Sequence, residues 1–357
     1  MAMEILNLTN FSLDTHFLEE SQWLLVVKSQ DQSIRRERLL KTLKGGRIGR
    51  TETRPTATGL LAKVILKHGK VDVVWTKEFP EPRHIVRVDE KTLALTDVNG
   101  VNLITEDGCV ESRITDELFA FLHSIDVMDG DRKTILVSSS GYDAVLEIDL
   151  CSMKRTFLWS AWAHGFNPDE DGNWLALTED EYENLLRSGK RAVFVNPALY
   201  GEQGINTKFR SAHPNVAVYN RYKDCRTIIV SIGHEGGLYE VDRLTKNTEL
   251  IFDKLSQMPH GLWPYNGGWI VSNTTKGEMW FLSRDFILER KVVLSDLGGK
   301  PKGVGPVEWL QNTKIVSGDV FLCLDANRGL IAVDIEKKKY NIYQPNVEWC
   351  IQDAFQL

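Results

Sequence analysis

No run in this chain approaches the roughly 18 consecutive apolar residues that a membrane-spanning helix needs, and no two cysteines stand as CxxC. The second absence removes the usual spacing of zinc knuckles and redox pairs. Cys109, Cys151, Cys225, Cys323 and Cys350 are odd in number and scattered, as expected of a reducing compartment rather than a disulfide framework. The opening MAMEILNLTNFSLDTH lacks a basic stretch followed by an apolar one, which predicts an unexported, cytoplasmic protein. Helical periodicity is scarce. With 42% hydrophobic and 26% charged residues among 357, the chain is too apolar for disorder and long enough for a large core. A formal net charge of −6 gives no global attraction to nucleic acid and argues against it as a partner.

What fills the chain is short alternating or fully apolar runs separated by turn residues, the mark of strands. Three stretches share one plan: HSIDVMDGDRKTILVSSSGYDAVLEIDLCSMKRTFLW from His123, HPNVAVYNRYKDCRTIIVSIGHEGGLYEVDRLTKNTELIF from His213, and HGLWPYNGGWIVSNTTKGEMWFLSRDFILERKVVL from His260. Weaker copies start at His84 and Val307. Starts about 40 to 50 residues apart, save for an interval about twice as long from His123 to His213, fit one four-stranded propeller blade per repeat. VEW at 307–309 recurs at 347–349, where only one more strand follows. WLLVVKS, GLLAKVIL and VDVVWTKEF near the other end supply three strands and no first one. The expectation is an all-β, six-bladed β-propeller forming a single domain over residues 1–357, closed by the C-terminal strand completing the N-terminal blade. Closure of this kind removes free sheet edges.

Two insertions interrupt the pattern, at about 29–58 and 161–212. The later one holds Thr178 and Glu181 spaced as a capping box, predicting a short helix that ends at Gly189. The earlier one concentrates Arg35, Arg36, Arg38, Lys41, Lys44, Arg47, Arg50 and Arg54 in an acidic protein. Such a run is either a solvated loop or an anion clamp, because guanidinium groups match carboxylate and phosphate bidentately; Arg35, Arg36, Arg38 and Arg47 are the candidate anion-binding residues. In a four-stranded blade the loop entering the innermost strand and the loop between strands two and three emerge on one face. Both insertions are therefore expected as lids over one mouth of the channel.

Only eight histidines exist, and His84, His123, His213 and His260 all stand at the start of a repeat. If those starts are equivalent, the four rings lie at equal depth around the channel, with Glu308 and Glu348 in the other two blades. Neutral imidazoles with carboxylates nearby suit a divalent transition metal such as zinc, iron or manganese. Glu308, Glu348 and His234 are the candidate catalytic groups, as bases or orienting residues. The blander reading makes the histidines strand-entrance caps. Tyr142, Asp143, Asn273, Asp325 and Asn327 fall in turns after the second strands, where turn chemistry accounts for Asn and Asp. Trp263, Trp309 and Trp349, just after the ring, read as wedges between blades.

Across most of its length the chain resembles, in architecture, the six-bladed propellers of the NHL, gluconolactonase and strictosidine-synthase-like group. The histidine arrangement is similar in logic to the lyase domain of peptide-amidating enzymes, which holds zinc, and to carotenoid-cleaving oxygenases, which hold iron. The gluconolactonase group uses a Glu, Asn and Asp calcium site, from which a ring of histidines departs. The resemblance implies a metal in the channel and leaves the reaction open. Two functions follow as expectations. One is a metal-dependent lyase or hydrolase, less readily an oxygenase, acting on a small anionic substrate at the channel mouth. The other is a non-catalytic propeller that binds a protein or small-molecule ligand on the same face.

Overall fold

The computed structural model describes residues 3–33, 36, 37, 40, 56–128, 130, 133–197, 209–302 and 307–357. Alternating and apolar runs become strands in chain order: β1 Glu4–Asn7, β2 Ser12–Leu13, β3 Ser21–Val27, β4 Thr58–Lys67, β5 Lys70–Pro80, β6 His84–Arg87, β7 Leu93–Thr96, β8 Val101–Ile104, β9 Val110–Ile114, β10 Leu122–Val127, β11 Thr134–Ser139, β12 Ala144–Asp149 and β13 Lys154–Ser160. There follow β14 Trp174–Ala176, β15 Ala192–Phe194, β16 Pro214–Tyr219, β17 Thr227–Ile232, β18 Gly237–Asp242, β19 Thr248–Phe252, β20 His260–Tyr265, β21 Gly268–Asn273, β22 Glu278–Leu282, β23 Leu288–Val293, β24 Leu310–Ser317, β25 Val320–Asp325, β26 Gly329–Asp334, β27 Lys339–Tyr343 and β28 Ile351–Gln356.

These strands make a six-bladed propeller. Blade 1 is β28-β3-β4-β5, blade 2 is β6–β9, blade 3 is β10–β13, blade 4 is β16–β19, blade 5 is β20–β23 and blade 6 is β24–β27. Closure is as the repeated VEW predicts: β28 is the innermost strand of blade 1 and pairs antiparallel with β3. The core is a ring of six apolar wedges, one at each junction between adjacent blades. Inner strands such as β17, TIIVSI, are buried along their whole length because both faces meet a neighbouring blade. Outer strands such as β19, TELIF, leave residues such as Glu249 and Leu250 exposed.

The opening residues have a use that their composition does not announce. β1 adds in parallel to β23, and β2 in parallel to β27, so one short strap lengthens blades 5 and 6. Leu8 and Phe11 between them are buried in the wedge that joins those blades. The strap also covers two outer edges that would otherwise stand unpaired.

The 28–57 connection joins β3 to β4, and Arg35, Arg38 and Arg47 within it lie outside the described residues. In the other insertion the capping box forms as expected: the Thr178 hydroxyl accepts from the Glu181 amide, opening helix α1, Glu179–Arg187. No helix among the described residues is long and apolar enough to cross a membrane.

Candidate functional site

The register of each innermost strand fixes how deep its side chains lie. Leu122, Pro214, His260, Leu310 and Ile351 pair with Ser139, Ile232, Ser272, Asp325 and Val27, and each is followed by a bulge before pairing resumes two residues on. Blade 2 has no such bulge. There His84 matches Ser124 and Val216, since all three donate their backbone N–H to the hydroxyl of a residue on the paired strand, at 3.0 Å. The four histidines therefore stand on four levels. His213 precedes the level of His260, His123 occupies the bulge below it, and His84 lies one step deeper. Equal depth was the expectation from counting repeat starts; it fails because an extra bulged residue shifts the register without changing composition.

Three histidines still converge. The His123 ring lies 5.2 Å from that of His213 and 5.8 Å from that of His260, centroid to centroid. The Nε2 atoms of His123 and His213 are 3.4 Å apart. Arg83, at the level of His123, donates from Nη1 to the same His123 Nε2 at 2.9 Å. Its other end is held by Glu81 at 3.0 Å in an ion pair almost wholly removed from solvent. Arg83 and Arg210 both lie over the Phe121 ring, at 5.6 and 4.7 Å. Beneath this group is a channel cavity of about 20 Å³ lined in part by Arg83, His123 and His260, room for one water-sized group.

Backbone strain aims these side chains. Glu81, Phe121 and His213, each two residues before the Arg83 or bulge level, are left-handed at φ 46°, 52° and 58°. Non-glycine residues rarely adopt that conformation, and it concentrates at functional sites. Specific bonds hold it. The Glu81 amide donates to Ala57 O at 3.1 Å, and the His213 amide to Asp143 Oδ1 at 2.8 Å. Asp143 does more than shape its own turn. Its other oxygen accepts from the backbone of Ser211 and Ala212, at 2.6 and 2.8 Å, and from the Trp162 indole at 3.0 Å. One carboxylate thus fastens the end of the long insertion to blade 3 and sets the approach to His213.

His84 lines the same cavity from a deeper level. It stacks on Trp263 at 5.5 Å and lies 3.4 Å from Asp353. Trp263 faces the channel cavity, so its reading as a wedge between blades is corrected. The His260 Nδ1 is bonded to Met258 O at 2.8 Å.

All four rings are held uncharged. Burial pushes His84 down to about 4 against the opposing pull of Asp353, and pushes His260 down to about 3. Burial, then the Arg83 charge, lowers His123 well below the ordinary histidine range; burial, then Arg210, does the same to His213. With Arg83 donating to its Nε2, His123 carries its proton on Nδ1. Because the folded pKa values lie below the unfolded value, these groups leave stability intact above about pH 6.5 and remove it as pH falls toward 4. His84 and His260 each remove about 1 kcal/mol per pH unit across that window. The melting temperature is expected to drop steeply between pH 6.5 and 4 and less steeply in His84→Gln, as read by scanning calorimetry.

Of the other expected residues, Glu308 and Glu348 lie elsewhere and His234 lies beside His213. Glu308 is ion-paired to Arg328 at 2.7 Å and Lys300 at 2.8 Å. Glu348 is exposed, its amide donating to Asn346. His234 sits edge-on to His213 at 5.3 Å, on the same mouth. Asp325 caps its own turn, as turn chemistry predicts. Among the described residues no three His, Cys, Asp or Glu side chains are grouped so as to hold a metal ion. Sequence reading missed Arg83, Glu81 and Arg210 and gave Asp143 too small a role. Arginines just upstream of two ring histidines, in EPRH and FRSAH, were the available signal.

No family model matches the sequence, and no curated protein does. Among solved structures, the fold is similar to a chain in the nidogen/laminin complex, at 11% identity with a TM-score of 0.54, covering 93% of this chain and 97% of that one. It is also similar to a protein of unknown function from Bacteroides caccae, at 12% identity and a TM-score of 0.52, covering 94% and 99%. At such identity the likeness shows the propeller fold alone.

Proposed function

We propose that the mouth of the channel takes a small anionic substrate and that the His123–His213 pair performs acid–base chemistry on it, of the lyase or hydrolase kind. The observation that carries this reading is the convergence of three nitrogens: Arg83 Nη1 and His213 Nε2 reach the same His123 Nε2, at 2.9 and 3.4 Å. Donors gathered this way, with Arg210 close by, suit an oxygen of a carboxylate or phosphate. Uncharged His123 can take a proton at Nε2 once Arg83 turns from that lone pair to the anion, whose charge would stabilise the imidazolium that results. The small cavity suits one oxygen reaching in, with the rest of the ligand at the mouth.

A test uses calorimetric titration with oxalate and inorganic phosphate. The paired substitution Glu81→Gln/Arg83→Met removes the guanidinium without stranding a buried carboxylate. Affinity is expected to fall about tenfold or more, the worth of a charge-assisted hydrogen bond. Unchanged affinity would refute the assignment.

A metal-dependent form of the same chemistry has one observation in its favour. Metal–nitrogen bonds of about 2.0–2.1 Å in a tetrahedron place ligand nitrogens about 3.3–3.4 Å apart, and the His123–His213 separation is 3.4 Å. Elemental analysis of untagged protein and of His123→Ala decides it: about one equivalent of zinc, iron or manganese lost in the variant would favour this form. None after reconstitution would reject it.

A further inference from the structure

Between β8 and β9 the chain turns through residues 105–109, and this turn of blade 2 sets a cysteine against a lysine of blade 1. Cys109 is exposed. The Lys77 ammonium, on the outer strand β5, donates to its Sγ at 3.2 Å, and the thiol donates to Asp107 Oδ2, also at 3.2 Å. Both side chains are placed by the backbone around them. The turn is closed by Thr105 N donating to Cys109 O at 3.0 Å and Gly108 N to Thr105 O at 2.8 Å, and the Cys109 amide donates to the Thr105 hydroxyl at 3.2 Å. Gly108 is left-handed at φ 76°, and a side chain there would meet the Trp75 ring at 3.0 Å and Lys77 Cδ at 3.1 Å. Glycine is therefore what lets the lysine stem lie against the turn. Trp75 is itself packed on the wedge between blades 1 and 2.

An exposed thiol is open to peroxide, which takes it first to a sulfenic acid. That sulfur is electrophilic, and a thiol or a nitrogen at hand condenses with it. Here the group at hand is an amine, carried by a different blade and already touching the sulfur.

We propose that Cys109 and Lys77 are a redox-sensitive modification site that closes into a sulfur–nitrogen bond when the protein meets hydrogen peroxide. Peroxide transfers one oxygen to the Cys109 sulfur and is reduced to water, a two-electron oxidation that leaves the sulfenic acid. The Lys77 ammonium gives one proton to solvent. Its nitrogen lone pair then attacks the sulfur, the S–O bond breaks, and the hydroxyl leaves as water with a second proton from the nitrogen. The product, Cys–S–NH–Lys, holds two hydrogens fewer than the reduced pair, and two equivalents of a thiol reductant restore both side chains while forming one disulfide. The bond fastens blade 1, which the C-terminal strand completes, to its neighbour. The site shares no residue with the histidine mouth and stands whether or not the reading of that mouth survives.

The test is intact-mass spectrometry and peptide mapping of the full chain carrying Cys151→Ser, which removes the other exposed cysteine, before and after hydrogen peroxide. The expected result is a mass lower by about 2 Da, a digest fragment joining residue 77 to residue 109, and return to the starting mass under dithiothreitol. The linked form should also melt at a higher temperature than the reduced one. Lys77→Arg keeps the positive charge and removes the amine; it should lose the joined fragment, and its Cys109 should run on to the sulfinic acid. Lys77→Gln serves in the same way should the first variant fail to fold. Four results would each overturn the proposal. One is Cys109 taken to sulfinic acid with no joined fragment, alike with and without Lys77. Another is a link from Cys109 to a different lysine. The third is a disulfide between two chains through Cys109 in place of the internal bond. The last is a Cys109 thiol still reduced after a peroxide dose that oxidises free cysteine.

Discussion

Removing Val347 to Leu357 is expected to leave no cooperatively folding protein. The deleted segment contains β28, the strand that closes the ring. Its Asp353 carboxylate, buried, accepts from the Ile85 amide of blade 2 at 3.0 Å and from Asn312 of blade 6 at 2.8 Å, with Lys314 also at 2.8 Å. One side chain therefore ties three blades together. Without it a buried amide, a buried carboxamide and a largely buried ammonium lose their partner, at about 1–3 kcal/mol each and more for the charge. The apolar contacts of Ile351 and Ala354 in the wedge between blades 1 and 6 go as well. Against a total stability of about 5–15 kcal/mol, the remainder cannot hold the ring. Near-ultraviolet circular dichroism and a thermal melt provide the readout. A truncated chain that melts within a few degrees of the full one would show that the ring does not depend on closure.

Asp143→Asn is expected to cost roughly 3–5 kcal/mol and to disable the mouth. The native carboxylate accepts from three consecutive backbone amides, Ser211, Ala212 and His213, and from the Trp162 indole. Asparagine offers one oxygen and turns its own N–H groups toward donors. The substitution is nearly isosteric, so its effect reports hydrogen bonding rather than packing. Released from Asp143, residue 213 loses the bond that holds it left-handed, and His213 moves away from His123. The melting temperature and the affinity for oxalate should fall together. A large loss of stability with unchanged anion affinity would separate Asp143 from the site.

The propeller was legible because blades are written locally, in alternating strands and turn residues, and because VEW appears twice with the second copy truncated. The N-terminal strap was not: β1 and β2 total six residues and take their meaning from edges contributed by β23 and β27, far along the chain. The histidines were recognisable as a group, but their levels were not, since the bulges at His123, Asn215, Gly261, Gln311 and Gln352 are backbone events without a compositional mark. The buried Glu81–Arg83 pair reads in sequence like any surface charge pair. The Asp143 clamp escaped for the same reason as the strap: its acceptors and donors are about 70 residues apart, and a turn aspartate has a sufficient local explanation.

Nitrogen-15 spectroscopy of the histidine side chains, followed over pH with and without oxalate, tests the central claim that this mouth holds an anion between an arginine and neutral imidazoles. The account predicts that, without ligand, His123 stays neutral well below the ordinary histidine range with its proton on Nδ1, and that saturating oxalate raises the titration point of His123 or His213. Titration of both rings near 6.5, indifferent to oxalate, would contradict it.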